Sequence, residues 1–170
     1  DKIVLTGNPV RRSVAQATDA GAARNHFGLE VNKPTLLIFG GSLGALSINE
    51  AMAQNTSFWQ NNPDVQVLWQ CGGSHHEKYQ NCATAQLPNV KLMAFIDRMD
   101  LAYAAADVVC SRAGALTISE LCLVGKPAIL VPSPFVAEDH QTKNAQALVD
   151  KNAAIMVRNA DTVSGLLPAA

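Results

Sequence analysis

Charged and aromatic residues are scarce in this sequence. Of its 170 residues, 16% are charged and 5% are aromatic, and 13 Lys and Arg against 14 Asp and Glu leave a net charge of −1. Binding to the phosphates of nucleic acid or of an anionic membrane requires a clear excess of basic side chains. The composition therefore excludes such electrostatic partners, and no nucleic acid is expected to bind. Disorder is excluded as well, because 48% of the residues are hydrophobic, enough to form one core.

Long hydrophobic runs are also absent. The longest uncharged apolar runs, such as Leu36–Phe39 and Ala128–Val131, are far shorter than the ~20 residues that cross a bilayer. The N-terminus has no initiator Met and no basic segment followed by an apolar stretch, so no signal peptide is predicted. We expect both ends to be cuts made in a longer protein.

The cysteines lack the spacing of a metal site. They form no Cys-x-x-Cys pair, which favours reduced, mostly buried thiols of a cytoplasmic protein over zinc ligands. The four are Cys71, Cys82, Cys110 and Cys122. A metal held by Cys71 with His75 and His76 is the alternative to a Gly-rich turn that starts a helix. We favour the turn and predict no metal site.

Short β-branched runs alternate with helical stretches of about 10 to 15 residues, which is typical of βαβ units. The runs are apolar throughout, as expected for strands covered on both faces. The predicted strands are Thr35–Phe39, Val65–Gln70, Val90–Ala94, Asp107–Ser111, Ala128–Val131 and Ala153–Val157. The predicted helices are Ala45–Asn55, His75–Ala85, Met99–Ala105, Leu116–Gly125 and His140–Asn152. The pattern predicts an α/β fold with a doubly wound, six-stranded parallel sheet, whose ligands lie beyond the carboxyl ends of the strands.

Residues 1–34 differ from the rest. A short apolar run, Ile3–Leu5, precedes a Gly7–Pro9 turn and a polar stretch. We predict a connector and entry segment over residues 1–34 and one ligand-binding domain over residues 35–170.

The first predicted strand leads into a Gly-rich loop, Gly40–Gly44, and then a helix. Gly41 and Gly44 let the backbone approach a ligand, Ser42 adds a hydroxyl, and the helix start offers free N–H groups, which together suit an anion. A tight turn without ligand is the structural alternative. The loop has no Gly-Lys-Ser/Thr sequence, so a P-loop is not predicted. The second strand is followed by no acidic residue to hold an adenosine ribose, which disfavours NAD.

Two later loops also join a predicted strand to a helix and carry polar side chains that suit a ligand. After the fourth strand, Gly114 precedes a helix on which Thr117 and Glu120 share a face, so the carboxylate could accept hydrogen bonds from a ribose diol. A first-turn acid that offsets the helix dipole is the alternative for Glu120. After the fifth strand, a Pro-rich loop leads to His140, Gln141 and Asn144, which suit sugar hydroxyls, although a lone His at a helix start is often only solvated. No catalytic base is legible from the spacing.

With these loops in order, the chain resembles the C-terminal, donor-binding domain of the MurG family of bacterial N-acetylglucosamine (GlcNAc) transferases. Five segments carry the resemblance, and they span nearly the whole chain. They are Thr6–Arg11, Gly40–Ala45, Phe95–Asp97 with Met99, Arg112–Glu120 and Asp139–Ala145.

The resemblance implies one Rossmann-like half of a two-domain GT-B glycosyltransferase that binds UDP-GlcNAc. Arg11, Ser42 and the Gly loop would contact the diphosphate, with Gly114 at the second helix start. The backbone of Ile96 would bind uracil, with Met99 beside the nucleotide. On the helix after the fourth strand, Leu116, Thr117 and Glu120 would surround the ribose and phosphate. On the helix after the fifth strand, His140 and Gln141 would bind the GlcNAc hydroxyls.

The resemblance also implies an inverting transfer, in which the 4-hydroxyl of N-acetylmuramic acid (MurNAc) in lipid I attacks the anomeric carbon, UDP leaves and lipid II forms for peptidoglycan synthesis. No metal or other cofactor is implied, since helix dipoles and basic side chains would stabilise the leaving diphosphate. Catalytic base, lipid I contacts and membrane contact would belong to the absent N-terminal half. The full enzyme would be cytoplasmic and peripheral on the inner face of the cell membrane, and this fragment alone would bind donor without catalysing transfer.

Other interpretations remain open. The soluble catalytic subunit of another UDP-GlcNAc-dependent, lipid-linked GlcNAc transferase has a similar Gly loop, but it should begin close to its first strand. A nucleotide-sugar epimerase on the same two-domain plan should have more carboxylates and histidines near the cleft. From other classes, a nicotinamide-binding oxidoreductase domain and a non-catalytic nucleotide-sensing module are the alternatives, and ligand choice discriminates them.

Overall fold

The computed structural model describes residues 7–16 and 18–169 and contains a six-stranded, wholly parallel sheet. The strands are β1 (Thr35–Phe39), β2 (Gln66–Gln70), β3 (Val90–Met93), β4 (Val108–Ser111), β5 (Ala128–Leu130) and β6 (Ala154–Met156). Their spatial order is β3-β2-β1-β4-β5-β6. This confirms the predicted fold class. The strand order reverses between β1 and β4, so a ligand cleft is expected where these two strands end.

Both faces of the sheet are buried, which explains why its strands are apolar without alternation. All five residues of β1 are buried, and Leu37 pairs with Leu68 on one side and Val109 on the other. Leu37 and Phe39 belong to the core on one face, whereas the intervening Ile38 belongs to the core on the other. Side chains alternate across a strand, so two layers of helices each cover one face.

Eight α-helices surround the sheet in the described residues. They are α1 (Ala20–His26), α2 (Leu46–Gln54), α3 (Thr56–Asn61), α4 (Gly73–Tyr79), α5 (Met99–Ala105), α6 (Ala115–Val124), α7 (His140–Val149) and α8 (Thr162–Ala169). Short 3₁₀ turns lie at Arg12–Ala15, Thr84–Gln86, Ala137–Asp139 and Asn159–Asp161. Over the described ranges, none of these helices combines the length and the apolar character that crossing a bilayer requires.

The predicted helix His75–Ala85 is wrong in its second half. Helix α4 ends at Tyr79, and the chain turns before a 3₁₀ segment that begins at Thr84. The fully buried Thr84 hydroxyl donates to the carbonyl oxygen of Met52 at 2.9 Å and lies 2.7 Å from the Thr56 hydroxyl. These contacts with α2 and α3 hold the segment outside a regular helix.

The segment before β1 contains a helix that its polar composition concealed. Helix α1 begins after Asp19, whose side chain accepts a hydrogen bond from the N–H of Ala22 at 2.7 Å. Arg24 links α1 to the end of α5 and to the residue before β4, because its guanidinium donates to the Ala105 carbonyl at 3.1 Å and to Asp107 at 2.7 Å. The predicted apolar run Ile3–Leu5 lies outside the described residues.

The chain just upstream lies against α5 and α6. The side chain of Asn8 donates to the Ser119 hydroxyl on α6 at 2.9 Å, and Val14 is buried in the core. Arg11, between them, is thereby brought to the edge where the strands end. The segment thus positions a basic side chain beside the predicted ligand loops.

Candidate functional site

The loops singled out by sequence meet at the carboxyl edge of the sheet, where they line two adjoining clefts. The larger, of about 660 Å³, is called the Gly-loop cleft and is lined by residues 40–47, Glu50, Arg112, Gly114, Thr117, Ser133, Phe135, Gln141 and Asn159. The smaller, of about 200 Å³, is called the Glu120 cleft and is lined by Arg11, Phe39, Gly41, Ser42, Gln70, Phe95, Ile96, Met99, Leu116, Thr117 and Glu120. Gly41, Ser42 and Thr117 belong to both, so the two clefts adjoin each other.

The Gly-loop cleft presents two helix starts to one space. Gly41 and Gly44 have φ of 86° and 80°, and the N–H of Gly44 donates to the Gly41 carbonyl at 3.0 Å. Helix α2 follows Ala45, and α6 follows Gly114; neither of these N-cap residues supplies a side-chain cap. First-turn N–H groups and the positive ends of two helices therefore face the cleft, which favours an anion with more than one charge.

Arg112 adds a fixed positive charge to this cleft. Its guanidinium donates to the carbonyls of Val131 and Pro132 at 3.0 and 3.2 Å and to the side chains of Asn159 and Ser47 at 2.7 and 3.2 Å. Its partial burial lowers the pKa of Arg112 below its ordinary value, which still leaves a cation at neutral pH. Within residues 7–16 and 18–169 no carboxylate lies at ion-pair distance from it, so its charge is available to a ligand.

The Glu120 cleft contains a buried carboxylate with one free oxygen. Glu120 is 5% exposed, and its Oε2 accepts a hydrogen bond of 2.9 Å from the hydroxyl of Tyr103. Its Oε1 is buried and has no partner among the described residues. An unpaired buried acceptor is costly unless something else satisfies it. A hydroxyl group of a ligand in this cleft would do so.

The rest of the Glu120 cleft is largely apolar. Ile96 and Met99 are almost fully buried, while Phe95 and Leu116 are about half exposed at its mouth. Gln70, the last residue of β2, donates from its side chain to the Gly41 carbonyl at 3.0 Å and so ties the Gly loop to this wall. Apolar walls with one carboxylate suit a planar base attached to a sugar diol.

The loop after β5 contributes Gln141 to the Gly-loop cleft. The Gln141 Oε1 accepts from the N–H of Ser133 at 2.9 Å, which leaves the amide NH₂ to donate elsewhere. Before α7, Glu138 and Asp139 have φ of 54° and 50°, a conformation rare for residues other than glycine. His140 is exposed, its Nδ1 lies 2.9 Å from the Ala137 carbonyl oxygen, and it is not among the residues lining the cleft.

The site residues predicted from the sequence line one of the two clefts, except His140 and Asn144, whose side-chain amide donates to the Ala113 carbonyl at 3.0 Å. Arg11 lines the Glu120 cleft and is not among the residues that line the Gly-loop cleft. Their roles in binding stay predictions. The residues that prediction missed include Gln70, Arg112 and Asn159, which line the clefts, and Tyr103, which contacts Glu120. Gln70 ends a strand and Arg112 follows one, so their positions were a usable signal.

The cysteines and histidines form no cluster of their own. Across the part of the chain that the structure describes, no group of three or more His, Cys, Asp or Glu side chains could hold a metal ion. Cys71 and Cys110 are buried and Cys122 is exposed. Burial raises the pKa of the Cys110 thiol to about 12, so this side chain behaves as part of the core.

Comparison with known proteins identifies similar chains. The family model described as the glycosyltransferase family 28 C-terminal domain matches residues 35–169. The UDP-N-acetylglucosamine–N-acetylmuramyl-(pentapeptide) pyrophosphoryl-undecaprenol N-acetylglucosamine transferase of Flavobacterium psychrophilum is 51% identical over 159 residues, which cover 93% of this chain and 42% of that protein. The transferase of the same name from Bacteroides fragilis is 50% identical and covers 100% of this chain and 46% of its own length.

Solved structures agree in fold. The MurG structure from Acinetobacter baumannii superposes with a TM-score of 0.68 at 31% identity, covering 91% of this chain and 45% of that one. A UDP-GlcNAc 2-epimerase from Neisseria meningitidis, at 13% identity and a TM-score of 0.57, shares the fold alone. The chain spans less than half the length of the curated relatives named above.

Proposed function

Since the chain belongs to the family of glycosyltransferase family 28 C-terminal domains, we propose that it binds the UDP-GlcNAc donor of an inverting hexosyltransferase. The complete enzyme would transfer GlcNAc to the MurNAc 4-hydroxyl of lipid I and yield lipid II for peptidoglycan synthesis. It would act at the inner face of the cell membrane, with lipid I and membrane contacts supplied by a second domain. The names of the relatives from Flavobacterium psychrophilum and Bacteroides fragilis support this reaction.

One observation carries the proposal: a cleft with Arg112 and two helix starts adjoins a largely apolar cleft with Glu120, whose Oε1 has no partner among the described residues. Gly41, Ser42 and Thr117 form the junction. A nucleoside diphosphate suits both clefts, since a base and a ribose diol are followed by two charged phosphates. The two adjoining clefts therefore offer groups suited to both halves of UDP, the uridine and the diphosphate.

Each part of the donor has a proposed partner. Uracil would lie against the backbone of Ile96 beside Met99, and the ribose hydroxyls would bind Glu120, with Leu116 as cover. The diphosphate would accept hydrogen bonds from the loop and helix starts, and the GlcNAc hydroxyls would meet Gln141, with His140 next to it. The groups proposed for the diphosphate are Arg11, Gly41, Ser42, Gly44, Gly114 and Thr117.

The proposed role of this chain in the reaction is to stabilise the leaving group. The acceptor 4-hydroxyl forms a new bond to the anomeric carbon as the bond from that carbon to the diphosphate oxygen breaks, and the electron pair leaves with UDP. The hydroxyl proton passes to a base outside this chain. Negative charge grows on the diphosphate, so the helix starts of α2 and α6 and the guanidinium of Arg112 stabilise the transition state more than the ground state.

Titration calorimetry of the chain with four ligands tests the proposal. UDP-GlcNAc, UDP-glucose, UDP and NAD would each be titrated with and without EDTA. We expect UDP-GlcNAc to bind more tightly than UDP-glucose, with no effect of EDTA, and NAD not to bind. Binding of NAD without uridine nucleotides would overturn the proposal in favour of an oxidoreductase domain. Equal affinity for UDP and UDP-GlcNAc would instead indicate a nucleotide-sensing module.

Substitution of Glu120, compared with a control substitution, tests the proposed ribose site. Replacing Glu120 by Ala should weaken UDP binding by roughly 1–3 kcal/mol, because the ribose hydroxyls lose a buried acceptor. The matched control is Glu77→Ala, which removes an exposed carboxylate on α4 that lines neither cleft. Unchanged UDP affinity in a folded Glu120→Ala variant would remove Glu120 from the site.

A further inference from the structure

The buried hydroxyl of Tyr103 contacts the carboxylate to which we assign the ribose. Tyr103 is 1% exposed on α5, and Glu120 is 5% exposed on α6. Their side chains meet at 2.9 Å, hydroxyl to Oε2, while the other carboxylate oxygen has no partner among the described residues. Tyr103 itself does not line the Glu120 cleft. Its influence on a ligand is therefore indirect and passes through residues that line the cleft, of which Glu120 accepts its hydrogen bond.

The tyrosine is held rigidly enough to fix its partner. Its ring packs edge-on against Phe39, with the ring centroids 6.1 Å apart and the planes at 78°. Phe39 is the last residue of β1 and itself lines the Glu120 cleft. Burial and the adjacent charge of Glu120 raise the pKa of Tyr103 above its ordinary value, so the hydroxyl keeps its proton and acts as the donor.

The two carboxylate oxygens are thus in unequal positions. The terminal torsion of a free glutamate is broad, so an unrestrained carboxylate rotates among several orientations. One hydrogen bond to a fixed donor selects a single orientation and leaves Oε1 buried without a partner among the described residues, on a side chain that lines the Glu120 cleft. A pair that served only folding would be expected to satisfy both oxygens, since an unpaired buried acceptor destabilises the fold.

We infer that Tyr103 is a positioning residue for donor binding: its hydroxyl holds Glu120 so that Oε1 is presented to a vicinal diol. This rests on the proposed function, in which that diol is the ribose of UDP. The gain is preorganisation, because the carboxylate does not lose rotational freedom when the nucleotide binds. Removing the hydroxyl should therefore weaken only those ligands that have the diol.

The test measures the affinity of UDP and of 2′,3′-dideoxy-UDP for the chain and for Tyr103→Phe. We expect Tyr103→Phe to weaken UDP about fivefold to tenfold and to leave dideoxy-UDP unchanged. In a Glu120→Ala background the same substitution should have no further effect on UDP. A purely structural role for Tyr103 would weaken both nucleotides alike, and would do so in either background.

Tyr79→Phe is the matched control. Tyr79 is 3% exposed and its hydroxyl also lacks a partner among the described residues, but it lines neither cleft. The Tyr79→Phe variant should bind both nucleotides with the same affinity as the unmodified chain. If the unmodified chain discriminates the two nucleotides and Tyr103→Phe discriminates them equally well, the inference about Tyr103 fails while the proposed ribose site stands. If the unmodified chain does not discriminate them, the ribose assignment and the inference fail together.

Discussion

The backbone of Gly44, which lines the Gly-loop cleft, is in close contact with the backbone of Gly72. A Cβ atom on Gly44 would overlap the carbonyl oxygen of Cys71, and one on Gly72 would overlap the carbonyl oxygen of Leu43. Both glycines also have positive φ, 80° and 91°. The turn after β2 therefore supports the loop after β1, and the shape of the proposed phosphate site depends on a residue that does not line it.

Replacing Gly72 by Ala should disturb both stability and binding. Positive φ and the overlap with Leu43 should together lower the free energy of unfolding by about 2–3 kcal/mol. Displacement of the Gly loop should also weaken UDP, which calorimetry measures beside urea unfolding. Gly73→Ala is the control, because a Cβ there meets nothing within 4 Å and lies in a helix. It should be neutral or slightly stabilising. A Gly72→Ala variant that binds UDP normally would contradict the supporting role.

Arg112 should be irreplaceable by lysine. Its planar guanidinium group donates to acceptors on α2, on the loop after β5 and on Asn159. A single ammonium group cannot reach all of these acceptors. Arg112→Lys should therefore lower the free energy of unfolding by about 1–3 kcal/mol and weaken UDP binding, although the charge is kept. Urea unfolding and calorimetry measure the two effects.

The control for Arg112 is another arginine-to-lysine change. Arg158 is 83% exposed and pairs with Asp161 at 2.7 Å on the surface. Arg158→Lys should change stability by no more than about 0.5 kcal/mol, because exposed ion pairs contribute little. If Arg112→Lys were as mild as Arg158→Lys, the hydrogen bonds of the Arg112 guanidinium would not be important for stability or binding.

The sheet and its three ligand loops could be predicted because their signals are local. Each strand is a short apolar run, and each loop has a Gly or Pro where a strand meets a helix. The partner of Glu120 could not be predicted in this way. Tyr103 precedes it by 17 residues and lies on another helix, so only the packing of α5 against β1 brings the two together.

The wrong end of the predicted helix and the missed site residue Asn159 both result from tertiary contacts. Helix α4 stops early because Thr84 hydrogen-bonds to α2 and α3, which its own neighbours in the sequence do not indicate. Asn159 reaches the Gly-loop cleft from after β6 to meet Arg112, 47 residues away. Long-range hydrogen bonds of this kind leave no periodic pattern in a single sequence.

The ion pair between Arg98 and Asp100 should make a small contribution to stability that is lost in acid. The guanidinium donates to the carboxylate at 2.9 and 2.6 Å, which lowers the pKa of Asp100 below its ordinary value of 3.8. The unfolded chain therefore binds this proton more readily. The stabilisation is present above about pH 4 and is lost as the pH falls through the lower, folded pKa.

Asp100→Asn should remove that dependence. Between pH 5 and pH 3 the free energy of unfolding should fall slightly less in this variant than in the unmodified chain, and the difference should be small because Arg98 is more than half exposed. Urea unfolding at a series of pH values measures it. Asp97→Asn, which changes an exposed neighbour, should follow the unmodified chain. Parallel pH profiles for all three would show that the ion pair has no such effect.

Gln141 and His140 are adjacent, but the structure places them differently. The Gln141 side chain is fixed by the N–H of Ser133 and lines the Gly-loop cleft. His140 points its Nδ1 at the Ala137 carbonyl oxygen within its own turn and is exposed. A contact between His140 and the sugar would require this side chain to leave its present hydrogen bond when the donor binds.

Gln141→Ala should therefore reduce the preference for UDP-GlcNAc over UDP, while His140→Ala should change it less. The amide NH₂ of Gln141 is free to donate to a sugar hydroxyl, and its loss should weaken UDP-GlcNAc about fivefold to tenfold without affecting UDP. Calorimetry of both nucleotides with both variants measures the difference, and UDP is the internal control because it lacks the sugar. A larger effect of His140→Ala would mean that the loop before α7 rearranges around the donor, because only then could His140 reach it.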